Sequence, residues 1–187
     1  MPAAGHRTRG AFPALAALVA LAAAACSRPD WTDPETSKGA RALPPPAGAK
    51  AIPTDSAGAP APPAWVAPLI GRQMRSAFPK DGVCIGNTDG IVRIYTGTPQ
   101  GARIVGWAWD YARKAPAPRV VLVDAGGAIV GGGETGYARV DVPRHVPAVT
   151  SDKVGWEAVS SVSAGRVETF AVIQDGAAVC PLAGVQF

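Results

Sequence analysis

From residue 82 onward the apolar positions fall in short runs separated by glycine or proline, a pattern of strands rather than of helices. The runs are 91–95, 103–110, 119–124, 128–131, 154–162, 167–174 and 177–180. In the second run Val105, Trp107 and Trp109 alternate with Gly106 and Ala108, which puts three large side chains on one face of a strand. Asp124-Ala125-Gly126-Gly127 has the chemistry of a hairpin turn, and Asp175-Gly176 predicts a tight hairpin joining the last two runs. Between 136 and 153, Pro143 and Pro147 interrupt a stretch with no sustained period, which predicts a long loop with a turn of helix. About seven strands with no long helix predict an all-β domain over 82–187, an antiparallel β-sandwich. Residues 65–81 read as a short lead-in segment limited by Pro68 and Pro79.

The first 25 residues follow a different pattern. His6, Arg7 and Arg9 form a basic start, Ala11 to Ala25 form an apolar middle, and small residues precede Cys26. Fifteen residues of helix span about 22 Å, short of a bilayer core of about 30 Å, so an export signal is expected rather than a membrane span. The order of basic, apolar and small residues before Cys26 resembles the signal peptide and lipobox of bacterial lipoproteins. That resemblance implies that Cys26 becomes the first mature residue and carries lipid, as a membrane anchor. The family prefers leucine three residues before the cysteine, where this chain has Ala23. Ala23 and Ala25 also suit ordinary signal peptidase, which would release a soluble periplasmic protein. Ser27 after the cysteine resembles the pattern sorted to the outer membrane.

Residues 26–64 change composition again. Proline, alanine, glycine and charged residues dominate, and Trp31, Leu43 and Ile52 are the large apolar side chains. That is too little to bury against the entropy of ordering, so a disordered, semi-stiff tether is expected. With Cys26 assigned to lipid, Cys84 and Cys180 remain in the folded region. In an oxidising periplasm they would pair; two buried thiols are the alternative.

Within the folded region a second resemblance is carried by ordered motifs. Gly106-Trp107-Ala108-Trp109-Asp110 precedes Val123-Asp124 and Gly127; Arg139-Val140-Asp141-Val142 and Gly155-Trp156 follow. This series is similar to immunoglobulin-like sandwich modules of bacterial envelope and surface proteins, with Val140 where that family has proline. The resemblance implies an immunoglobulin-like accessory module without chemistry of its own.

The candidate chemistry is thin. His145 is the histidine that remains after processing, and Ser160, Ser161 or Ser163 with Asp141 or Asp152 would be needed for a hydrolytic triad. Nothing in the spacing selects them, and no Gly-x-Ser-x-Gly elbow is present. The run 131–136 is glycine-rich but lacks the Lys-Ser/Thr pair of a phosphate loop, and reads as a hairpin end or bulge. Asn87, Asp89 and Gly90 lack the later bidentate acid of a calcium loop and read as a turn. No cofactor and no metal are expected. Trp107 and Trp156 read as core, whereas Trp109 beside Asp110 is the candidate contact for a glycan. The formal net charge is +4, and removal of Arg7 and Arg9 halves it. Arg113, Lys114 and Arg119 form a small basic group, too small for nucleic acid. The expected protein is therefore a non-enzymatic envelope protein that binds an envelope protein or, in the second reading, peptidoglycan or lipopolysaccharide. A hydrolase around His145 is the third.

Overall fold

Residues 51–187 are described by a computed structural model. The leader 1–25, Cys26 and residues 27–50 lie outside the described residues. The described chain is all-β. Each of the seven predicted runs overlaps one longer strand, β2 (Cys84–Tyr95), β3 (Gly101–Asp110), β5 (Arg119–Asp124), β6 (Ile129–Tyr137), β7 (Gly155–Ser160), β8 (Arg166–Ile173) or β9 (Ala178–Pro181), with β2 and β6 reaching well past their runs. Three two-residue strands join them: β1 (Thr54–Asp55), β4 (Ala115–Pro116) and β10 (Val185–Gln186).

The strands form one hydrogen-bonded path, β1-β2-β3-β7-β6-β5-β8-β10, with β9 also on β8 and β4 on β3. Pairing is antiparallel except between β1 and β2. The sheet closes between the start of β2 and β9, the branch on β8. Asp81, just before β2, bridges to Val179 of β9 in parallel, and a disulfide joins Cys84 to Cys180 with a Cα–Cα distance of 5.9 Å. The sheet thus curls around an interior filled from nearly every long strand, including Ile104, Leu122, Trp156, Val167, Ala171 and Ile173.

Two smaller clusters cover the outside of the sheet. Val66, Met74 and Phe78 of the lead-in pack on Val121, Ile129, Val172 and Val179, so the lead-in, with its one-turn helix α1 (Met74–Ala77), caps the β5-β8-β9 side. The loop 138–153 holds the predicted turn of helix, α2 (Val142–His145), and its Val142, Val146 and Val149 pack on Trp107, Trp109 and Ile85.

Three expectations are corrected. The expected linker gives way to ordered chain from residue 51: Thr54 and Asp55 pair with Ile94 and Tyr95, Asp55 ion-pairs with Arg93 at 2.9 Å, and the Ala59 N–H donates to the Pro99 carbonyl at 2.7 Å. Composition shows how little apolar surface this segment can bury. It does not show that an open sheet edge offers backbone partners instead. The turn expected at 87–90 is instead a bulge inside the long β2, between Thr88 and Gly90. The run 131–136, expected as a hairpin end or bulge, does carry a bulge between Thr135 and Tyr137, but it is no hairpin end: it is the body of β6, which bonds to β5 on one side and β7 on the other. A Cβ at Gly133 would strike the Glu157 carbonyl and the Ala158 Cα of β7, so the close approach of these strands requires glycine there.

Candidate binding surface

The residues expected to contact a glycan are enclosed. Trp109 is 2% exposed under the α2 loop, and Asp110 is 1% exposed. One Asp110 carboxylate oxygen accepts the Arg113 N–H at 3.1 Å and the other accepts the Gln174 N–H at 3.0 Å. Asp110 therefore ties the 111–118 loop to the 174–177 turn, and the Arg113–Asp175 ion pair closes the same junction. Both residues are corrected from ligand contacts to structural ones, because the alternating pattern shows which side chains share a face but not what covers it.

The residues of the imagined triad are not brought together. His145 is exposed, and its Nδ1 lies 2.9 Å from the backbone carbonyl of Asp141. The Ser161 hydroxyl donates to the Val130 carbonyl at 2.8 Å, and that of buried Ser160 accepts the Val162 N–H at 3.1 Å. The Asp152 carbonyl accepts the Arg139 N–H at 2.6 Å. Asn87 donates to Asp89 at 3.1 Å. Among the described residues no group of three or more His, Cys, Asp or Glu side chains is placed to hold a metal. No described helix is long and apolar enough to cross a membrane. In the basic group Arg113 is paired, Arg119 lies 5.1 Å over the Trp65 ring, and Lys114 is exposed.

A different surface is open. Three neighbouring grooves lie along the outer side of β7, and adjacent grooves share lining residues. The first, of about 280 Å³, includes Asp89, Val105, Tyr137, Arg139 and Gly155. Tyr137 and Glu157 link it to a second, of about 430 Å³, lined also by Glu134 and Pro63. Val159 and Ala61 link that to a third, of about 250 Å³, walled by Pro60, Pro62 and Pro99. Together the grooves form a trough along β7 from Gly155 to Ser160, about 17 Å of strand.

Register explains its floor and its edge. Trp107, Gly155 and Tyr137 lie side by side on β3, β7 and β6. A Cβ at Gly155 would sit 2.9 Å from the Arg139 Cγ, so the glycine leaves room for the arginine stem to lie across the strand. A bulge between Thr135 and Tyr137 resets β6 before Tyr137, whose side of the sheet is open: it is 55% exposed. Arg139 is fixed beside it. Its Nε and Nη2 donate to the two Asp141 oxygens at 2.9 and 2.7 Å, and Nη1 donates to Asp89. The guanidinium fork holds the Asp141 carboxyl down at about 2, and the carboxylate in turn raises the Arg139 pKa. The Arg103 Nε lies 3.2 Å from a Glu157 carboxylate oxygen, an ion pair without hydrogen-bond geometry. Glu134 faces Glu157 across the β6–β7 pair.

Sequence reasoning missed Tyr137, Glu157 and the pairing of Arg139. Arg139 and Asp141 stand two apart in the quoted motif, which was the available signal. Tyr137 had none, because an isolated tyrosine at a strand end marks no face until the register is known. Comparison with protein-family models, with curated proteins and with solved structures finds no match for this chain.

Proposed function

We propose that the chain is a lipid-anchored protein of the bacterial cell envelope. It presents an immunoglobulin-like β-sandwich for protein interaction or structural support, and has no chemistry of its own. The observation that carries this reading is the use of cysteine. Two of the three cysteines form the Cys84–Cys180 disulfide, which fits an oxidising compartment, and the third directly follows the apolar leader. Cys26 is then the lipid site, at the outer membrane facing the periplasm.

The strand order supports the immunoglobulin-like part. The first, second and fifth long strands are neighbours, the third, sixth and seventh are neighbours, the fourth bonds to both groups, and the first meets the last in parallel. A Cys26→Ala variant is expected to leave the membrane fraction and to lose the mass of its acyl chains. Unchanged mass and membrane attachment would refute the anchor.

A second reading, a module that binds an envelope glycan, is favoured by the open trough at Tyr137. It no longer rests on Trp109 and Asp110.

A further inference from the structure

We infer that the trough along β7 binds a linear, uncharged glycan built from N-acetylated sugars, with a pyranose ring stacked on Tyr137. The inference rests on the glycan-binding reading and gives it a site and a ligand class.

Four features point to that chemistry. First, Tyr137 stands exposed in the trough rather than in a packed cluster, and its ring is an apolar plate with a polar tip. Such a plate suits the apolar face of a sugar ring. Second, the main cation beside it is already held in place: Arg139 is fixed by Asp89 and Asp141. Fixed donors meet hydroxyl groups without a large ordering cost. Third, one end of the trough is apolar, where Val159 lies with Pro60 and Pro62, and Val105 adds an apolar side chain beside Glu157. These patches fit the methyl groups of N-acetyl substituents.

The fourth feature decides between ligands. Asp89, Glu134 and Glu157 line the first two grooves with Arg139, and Asp141, paired to Arg139, and Arg103, paired to Glu157, stand beside them, so four acids face two bases. A phosphate-bearing polysaccharide would meet net repulsion there, so the trough favours a neutral chain. An extended peptide fits less well. β7 is bonded to β3 and β6 along its whole length, so it has no free backbone edge on which a peptide could add as a strand.

The test is calorimetric titration of the full chain in detergent with the N-acetylglucosamine tetrasaccharide, with heparin as the polyanion. The wild-type chain is expected to bind the tetrasaccharide and not heparin. Tyr137→Ala should weaken binding by about tenfold or more, and Tyr137→Phe should keep it, because stacking needs the ring and not the hydroxyl. Unchanged thermal unfolding of both variants checks the fold. Binding of the tetrasaccharide that survives Tyr137→Ala overturns the site while sparing the glycan reading. Binding of neither glycan overturns both, and binding of heparin in preference to the tetrasaccharide overturns the ligand class alone. None of these outcomes touches the membrane attachment tested through Cys26.

Discussion

Asp110 and Asp141 are both acidic, and the structure uses them differently. Asp110 is enclosed and spends both oxygens on backbone N–H groups, so it organises loops. Asp141 is at the surface, and its two oxygens face the Arg139 fork. Its pKa falls from 3.8 to about 2 on folding. A depressed carboxyl stabilises the fold above its unfolded value, and that contribution is lost as pH drops through the window from 3.8 to about 2. Asp141→Asn is therefore expected to reduce the loss of stability over that window, as followed by acid unfolding monitored by tryptophan fluorescence. An identical acid profile would mean the pair does not contribute. The effect is expected to be small, because Asp141 is exposed to solvent. At this scale the sequence showed that Trp107 and Trp109 share a face. It could not show that the α2 loop would cover Trp109 and leave Tyr137 open, since that depends on a loop packed from elsewhere in the chain.

At the level of elements, the strands were legible and their partners were not. Short β-branched runs between glycines set all seven long strands, because local alternation and turn chemistry act within a few residues. The glycines of β6 predicted a hairpin end or a bulge; the bulge is present before Tyr137, but Gly131 and Gly133 are required by carbonyls of β7, some 25 residues away in the chain. The lead-in was visible only as an ambiguous apolar stretch. Its role comes from the outward faces of β5 and β8: Val121, Val123 and Val172 point away from the interior and need cover. Val66 is fully buried in that cover. Val66→Asp would put an unpaired charge there and is expected to cost roughly 3 kcal/mol or more. Thermal unfolding measures it. A melting temperature equal to the native one would show the lead-in to be dispensable.

For the whole molecule the decisive event is closure. The path from β2 to β9 leaves two ends, which Asp81, Val179 and the disulfide bring together. The two cysteines are 96 residues apart, so their link constrains most of the unfolded domain. Replacing both by alanine is expected to lower stability by up to about 4.7 kcal/mol, read from denaturant unfolding. Undiminished stability would mean that the backbone pairing before β2 holds the closure alone. The chain by itself determined the all-β class, the strand positions and the candidate disulfide partners, because these follow from local pattern and composition. Tertiary structure alone decided which face of each strand became interior, that residues 51–64 lie on the domain, and that Tyr137, Arg139 and Glu157 share one surface. Those outcomes depend on register and on packing between segments far apart in sequence, which no local pattern encodes.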